Sequence, residues 1–414
     1  SNYFSFNIYY CIIIIFFLFR SNMYQINWSG RSIRYTKDEI DLIIDVIKNA
    51  DPLTQGDYLS QFETDVNKYL GTRNAFGVTN AASALELSAV LSRVGPGDEV
   101  IIPAHTYCAS AIPFGRTGAK IVWADIEPDT FLVSPKDIER KITEKTKVVL
   151  VVHLYGLVCE MNSIEKLCKD NNLILIEDCA QSFGAEYLGK KAGAFGDYSC
   201  FSLHQQKNIS TLGEGGILVV KDDKNASFVS GLRHNGHTPF GEREKYWKPS
   251  MVNVKMDIDG VWPFNYSMTE VQAALGSKLI NRLDILNKKR RERAIRFINS
   301  LSAYPEIKFQ KTLTESQNVF HLLPAIYIGD KFDKSNDDLI QLMSQKYKIK
   351  LIVQFYPLYR YPLFVDMGFS KAECPNTDFF YDNMISFPFH HWMSDQDFEY
   401  MLDSTKNALE DLRI

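Results

Sequence analysis

The chain has 414 residues, enough for a large buried core and two or three domains. Its 46 lysines and arginines against 50 aspartates and glutamates leave a formal net charge of -4, which excludes the global positive field that a nucleic-acid partner requires. The seven cysteines (11, 108, 159, 168, 179, 200 and 374) form no Cys-x-x-Cys pair and no zinc-like spacing with histidine, so they read as free thiols of a reducing compartment, the cytoplasm, and no metal centre is expected.

Residues 1–22 are unlike the rest. The apolar stretch from Tyr9 to Phe19 is short for a bilayer span, and Arg20 follows it, whereas a signal peptide carries its basic residue ahead. Met23 is the expected natural start and residues 1–22 an extension outside the fold, with a membrane anchor as the alternative reading. Thr36-Lys-Asp-Glu39 then reads as a capping box that opens a helix with Ile40, Ile43, Ile44 and Ile47 on one face. Strand-like runs follow at Ala75 to Thr79, Glu99 to Ile102, Lys120 to Ala124, Lys147 to His153, Leu173 to Glu177, Tyr198 to Ser202 and Gly216 to Val220, separated by helical patterns. This alternation predicts an α/β fold built on a mainly parallel seven-stranded sheet with helices on both faces. A long helical pattern runs from Met268 to about Ser300, and its basic run Lys288-Lys-Arg-Arg291 reads as a solvated face. Shorter signals at Leu322 to Tyr327, Asp337 to Tyr347 and Ile349 to Phe355 predict a smaller α+β domain. The expected division is a large domain over 23–275 and a small C-terminal domain over 276–414.

In open parallel sheets the site lies at the carboxyl ends of the strands, and Asp178, Ser202 and the stretch after Thr79 all fall there. Asp178 ends the apolar run Leu173 to Ile176, where a carboxylate is costly unless a cation pairs with it. Glu177 points to the opposite face if the strand continues, which makes it the poorer candidate. Lys207 follows a strand and precedes the glycine-rich turn Gly213-Glu-Gly-Gly216. An amine can hold an aldehyde as a Schiff base, and a carboxylate can keep a ring nitrogen protonated, so Lys207 with Asp178 suggests pyridoxal phosphate. The helix start after Thr79 offers free amides and a favourable dipole to the phosphate.

At these residues the chain resembles the DegT/DnrJ/EryC1/StrS family of sugar aminotransferases, fold type I pyridoxal phosphate enzymes. The resemblance covers roughly residues 30 to 400 and is carried by Thr54-Gln-Gly56, Phe62-Glu63, Thr79-Asn-Ala-Ala-Ser-Ala-Leu85, Gly95-Pro-Gly-Asp98, Val152-His-Leu-Tyr-Gly156, Asn265-Tyr-Ser-Met268 and Gln272-Ala-Ala274. It implies that Lys207 carries the cofactor and shuttles the proton, that Ala180 packs on the ring, that Gln181 hydrogen-bonds its phenolic oxygen, and that Tyr107 stacks on it. It also implies that Asn265 reaches the phosphate of the neighbouring subunit, so that a homodimer shares its active sites, and that His321 lies near the sugar. His204 and Arg233 are further substrate-binding candidates.

Three departures from the family pattern stand out. Ala81 and Ala82 replace glycine and threonine, leaving the amides of Ala82 and Ser83 for the phosphate and Ser83 or Ser202 to supply a hydroxyl. Ser267 stands where many relatives carry arginine. The stretches Gln354-Phe-Tyr-Pro357 and Asp382-Asn-Met-Ile-Ser-Phe-Pro-Phe-His-His-Trp392 replace the more usual His-Tyr-Pro form. The activity implied is transfer of an amino group from L-glutamate to a nucleotide-linked keto sugar for surface polysaccharide. Amination of an 8-oxo 3-deoxy-octulosonate for lipopolysaccharide is the alternative. A non-catalytic regulator is the remaining reading, opposed by the intact Lys207, Asp178 and Gln181.

Overall fold

Seven short apolar strands, each buried along most of its length, assemble into one sheet packed against the intervening helices. The computed structural model describes residues 23–237 and 254–414, so the extension expected at residues 1–22 lies outside the described residues. The strands are β1 (Ala75–Val78), β2 (Glu99–Pro103), β3 (Lys120–Ala124), β4 (Thr146–Val152) and β5 (Ile174–Asp178). The two-residue strands β6 (Glu186–Tyr187) and β7 (Lys190–Lys191) come before β8 (Tyr198–Ser202) and β9 (Gly216–Val220). The sheet order is β1-β9-β8-β5-β4-β2-β3, with β9 alone antiparallel to its neighbours. Val148 to Val152 of β4 are buried, as a central strand covered on both faces requires.

The capping box of helix Lys37–Asn49 is present: Thr36 accepts from the Glu39 amide while Glu39 accepts from the Thr36 amide. Of its isoleucine stripe, however, only Ile43 packs against the core. Ile40, Ile44 and Ile47 are 46%, 45% and 58% exposed. The helix is turned so that Val46 and Glu39 face inward, and Arg282 of the long helix Glu270–Ser300 binds Glu39 through two contacts of 2.6 and 2.8 Å. Helical periodicity identifies a stripe but not the neighbour that covers it.

Helix Glu270–Ser300 has 31 residues and its own capping box from Thr269 and Gln272. It carries Leu275, Leu279 and Leu283 into the core around the large sheet, and Ala294 and Phe297 into a second core. That second core lies on an antiparallel sheet of β10 (Ile307–Phe309), β12 (Leu323–Tyr327) and β13 (Met384–Phe387), while β11 (Ser316–Gln317) pairs with β6. The expected boundary at 275/276 therefore falls inside one continuous helix. Connections also run both ways: Ile26 packs in the second core, and Phe364 and Phe380 return to the first against Trp123 and Phe131. Among the described residues no helix is long and apolar enough to cross a membrane.

One buried carboxylate joins the long helix to its neighbour. Helix Asp57–Leu70 has no side-chain cap of its own. Glu270, 1% exposed, accepts instead from the amides of Gly56 at 2.9 Å, Tyr58 at 2.8 Å and Leu59 at 3.4 Å. These are the donors that a helix start leaves unsatisfied, and the negative charge also suits the helix dipole. Glu270→Ala should destabilise the protein by about 2 kcal/mol, because it strands these donors and removes the cap. A lower urea midpoint than wild type at equal protein concentration is the expected result.

Candidate active site

A cavity of about 400 Å³ opens at the carboxyl ends of β5 and β8. Asp178 reaches it because it is the last residue of β5, and strand alternation sends its neighbour Glu177 to the other face of the sheet. There Glu177 is fully buried and accepts from the amides of Gly193, Phe195 and Gly196, from the Ser199 hydroxyl at 3.1 Å, and from His153 Nε2 at 2.8 Å. It holds the turn leading into β8. Glu177, His153 and Cys179 lie close enough to suggest a metal cluster. The donors already directed at both Glu177 oxygens leave it no lone pair for an ion, and the His153 Nδ1 accepts from the Cys159 amide.

Asp178 is 5% exposed. Burial raises its carboxyl above the ordinary value, opposed by the Ser110 hydroxyl at 2.7 Å, the Ala180 amide at 3.0 Å and the charge of Lys207. The same pair acts in reverse on Lys207. Burial pushes its amine down to about 8, and the Asp178 carboxylate resists that shift. An amine with this value is partly unprotonated near neutrality, as a nucleophilic lysine must be.

Lys207 sits on the loop between β8 and β9, which is closed on itself by the bonds Leu203 N to Gly215 O at 2.8 Å and Gln205 N to Gly213 O at 2.9 Å. From outside, Ser32 fastens it: the Ser32 amide donates to Gln205 O at 3.0 Å and its hydroxyl donates to the Lys207 carbonyl. The segment ahead of the first helix thus crosses the site, and Trp28, Ser29 and Arg31 line the cavity with Ser32.

At the other side of the cavity stands the start of helix Ala81–Leu91. Asn80 caps it, with its side chain accepting from the Ser83 amide at 2.9 Å and its carbonyl from the Ala84 amide at 3.2 Å. The Ala81 and Ala82 amides are left without an intrahelical partner, and both residues line the cavity. Ser83 does not line it; its hydroxyl is engaged with Thr79 at 2.7 Å and Asn80 at 3.0 Å. Ser202 does line it. Gly216 of β9 is what lets the strand approach this turn, since a Cβ there would stand 2.3 Å from the Asn80 carbonyl carbon.

Gln181 lines the cavity with its carbonyl oxygen accepting from the Tyr155 amide at 2.7 Å, so its NH2 is the end left for a ligand. Tyr155 presents that amide from a left-handed conformation, φ 66°. Its hydroxyl lies 2.7 Å from His105 Nε2 and donates to the Gln354 carbonyl at 2.7 Å. Ala180 and Tyr107 also line the cavity; Tyr107 is 56% exposed and meets Phe355 edge-on at 6.0 Å.

His321 and His204 face the same space. The His321 Nδ1 is 3.1 Å from Asn208 Oδ1, and burial drives its imidazole well below the ordinary value, helped by Lys207, Arg290 and His204. Besides Ser83, two expected residues are elsewhere. Arg233 is tied to Glu63 and to the Gly77 carbonyl at 2.7 Å, away from the lining. Asn265 is exposed on the surface, in a backbone bridge with His234, and does not line the cavity of its own chain. No local motif marks Trp28, Ser29 or Arg31; they belong to the site only because Ser32 and Tyr35 tie their segment to the Lys207 loop.

The model of the DegT/DnrJ/EryC1/StrS aminotransferase family matches residues 34–406. The chain is 31% identical over 387 residues to GDP-perosamine synthase of Vibrio cholerae, covering 93% of this chain and 98% of that protein. It is 30% identical over 373 residues to dTDP-3-amino-3,6-dideoxy-alpha-D-galactopyranose transaminase of Aneurinibacillus thermoaerophilus, covering 90% and 96%. Among solved structures it is similar to Helicobacter pylori PseC, an aminotransferase involved in the biosynthesis of pseudoaminic acid, with TM-score 0.83, 25% identity and coverage of 93% and 99%. With the family model spanning nearly the whole chain, the protein belongs to the DegT/DnrJ/EryC1/StrS aminotransferase family and is a pyridoxal phosphate-dependent transaminase.

Proposed function

We propose that this cavity holds pyridoxal phosphate and moves an amino group from L-glutamate to a keto sugar, most consistent with a nucleotide-linked hexose destined for surface polysaccharide. The observation that carries the reading is the coupled pair Lys207 and Asp178 facing one cavity, each shifting the other's proton affinity. The donor set fits the cofactor. A buried carboxylate suits a protonated ring nitrogen, an amine near 8 suits the aldehyde carbon, and two partnerless helix-start amides suit a phosphate. When bound, pyridoxal phosphate supplies an electron sink at its ring.

The chain's own groups supply the rest. Asp178 keeps the proton on the ring nitrogen, with Ser110 and the Ala180 amide holding its orientation. The amides of Ala81 and Ala82 and the Ser202 hydroxyl hold the phosphate. Gln181 would donate its NH2 to the phenolic oxygen, and Ala180 and Tyr107 would pack on the ring. Lys207 would be the nucleophile toward the aldehyde and then the base that takes the proton from the carbon bearing the amino group and gives it back. His321 and His204 contact the acceptor.

Exposed Asn265 belongs, in this reading, to the phosphate site of a second copy of the chain, and exposed Ile40, Ile44 and Ile47 are apolar surface available for a homodimer interface. The names of the relatives favour acceptors such as GDP- and dTDP-linked hexoses. An 8-oxo 3-deoxy-octulosonate, as used for lipopolysaccharide, is the second acceptor in view, because the stretches that depart from the more usual family form bring Gln354, Phe355 and His390 into the cavity lining. Six free thiols among the described residues support a cytoplasmic location.

Yellow holoprotein should bleach with L-glutamate, and borohydride reduction followed by peptide mapping should find the cofactor on Lys207; another lysine would refute the assignment. In cofactor-free protein, acylation of Lys207 should follow an amine value of about 8. Asp178→Asn should shift that value lower still, because it removes the anion that supports the ammonium form. In the holoenzyme the same substitution should cost the chemical step at least ~3 kcal/mol. Single-turnover kinetics would measure it, and near-wild-type rates would remove Asp178 from the mechanism.

Mixing Lys207→Ala with Asn265→Ala subunits should produce heterodimers in which one site carries both lesions and the other neither. Activity should rise toward that of one intact site per dimer. Demonstrated heterodimers without recovery, or an active monomer, would show that Asn265 does not act across an interface.

A further inference from the structure

Two polar atoms in the cavity wall have nothing to bond to. His390 is 7% exposed and its Nδ1 is buried without a partner; Gln354 Oε1 is likewise buried and unpartnered. Both residues line the cavity, whereas the other eight such side-chain atoms among the described residues, those of His391 and Trp392 included, belong to residues outside the lining. Buried polar atoms are rarely left unsatisfied, and these two belong to side chains of the cavity wall, where a bound ligand is the partner at hand.

Neither group is loose. The His390 ring stacks on Trp392 with centroids 3.6 Å apart, and the Arg34 guanidinium lies 4.1 Å from the Trp392 ring. Arg290, 1% exposed, donates from Nε to the Phe320 carbonyl at 3.0 Å and from one terminal nitrogen to the carbonyls of His321 at 2.5 Å and Phe389 at 3.4 Å. One guanidinium thus fastens the backbone next to both His321 and His390. Gln354 is fixed by its own backbone, whose carbonyl accepts from the Tyr155 hydroxyl at 2.7 Å.

The charge state narrows the ligand chemistry. Burial, then Arg290, Arg293 and Arg34, push the His390 imidazole down to about 3. A neutral imidazole offers one donor and one acceptor, and a carboxamide offers both kinds of atom as well, which matches a hydroxyl group. A carboxylate, such as the side chain of glutamate, asks for cations or donors only.

We propose that His390 and Gln354 are specificity-determining residues that read hydroxyl groups of the sugar acceptor. The inference rests on the keto-sugar reading above and adds which residues of this chain select the sugar over the amino acid that shares the cavity.

The test uses holoenzyme in the reverse half-reaction. An amino sugar gives up its amino group to the cofactor and leaves as the keto sugar, bleaching the yellow form. The probes are GDP-perosamine, dTDP-3-amino-3,6-dideoxy-alpha-D-galactopyranose and an 8-amino octulosonate, with L-glutamate as the comparison. His390→Phe keeps an aromatic ring on Trp392 and removes both nitrogens. With the amino sugar that bleaches wild type fastest, the ratio of its kcat/KM to that of glutamate should fall at least about tenfold, and mostly through KM. His390→Gln should restore most of that ratio, and Gln354→Met should lower it independently.

Cofactor absorbance and the melting temperature identify any variant that fails to fold, and the Gln354→Met result then decides. An equal fall for sugar and glutamate, or no fall in the ratio, would overturn the assignment. If glutamate bleaches the wild type and no amino sugar does, the sugar-acceptor reading itself fails and this inference falls with it.

Discussion

The carboxylate of Asp178 ends a buried strand, and much of the site is arranged around the cost of putting it there. A lone anion at such a place would take up a proton, since burial alone raises its carboxyl. Two neutral donors, Ser110 and the Ala180 amide, stabilise the ionised form but leave further lone-pair positions on its oxygens. Positive charge adds to this stabilisation, from Lys207 in the cavity and from His153 behind it. Lys207 in turn is held near 8 by the same burial. The two groups are therefore poised against each other, and a bound cation beside Asp178 would relieve it and free Lys207 from its role as counter-ion.

The adjacent carboxylate shows the contrasting solution. Glu177 is fully buried one residue earlier, on the opposite face, yet its oxygens are already occupied by three amides, a hydroxyl and His153. Nothing remains for a ligand, so it holds structure. Two neighbouring acids in one strand thus differ in function because one has its partners built in and the other does not. Glu270 repeats the first pattern on another scale, joining two helices through amides that lack any other acceptor.

Much of this was legible in the sequence. The seven strands of the main sheet appear within a residue or two of the apolar runs, because each is buried along most of its length and bounded by turn residues. The capping box at Thr36 and Glu39 is equally local and equally readable. Less legible was anything that depends on what a local pattern meets in space. The isoleucine stripe after Thr36 is real as a pattern, but the helix is oriented by the Glu39–Arg282 pair, 243 residues apart in sequence. The hydroxyl of Ser83 looks available in the sequence, and Asn80 captures it along with the Ser83 amide. Trp28 and Arg31 enter the cavity through bonds made by Ser32 and Tyr35, for which no short motif exists.

The same distinction divides the cavity itself. Its Asp178 and Lys207 side is built from consecutive pieces of one sheet, from the helix start after β1 through the ends of β5 and β8, so a few short motifs describe it. Its opposite wall is gathered from Trp28, His321, Gln354 and His390, segments that lie far apart and belong partly to the second core. Arg290 brings two of these segments together with no carboxylate of its own among the described residues, relying on carbonyls from Phe320, His321 and Phe389. A buried arginine bound only to carbonyls ties backbone to backbone and leaves the neighbouring side chains free to differ. Substitution at positions 354 or 390 can thus alter what the wall recognises while the chemistry across the cavity, supported by separate contacts to β5 and to the loop between β8 and β9, stays in place.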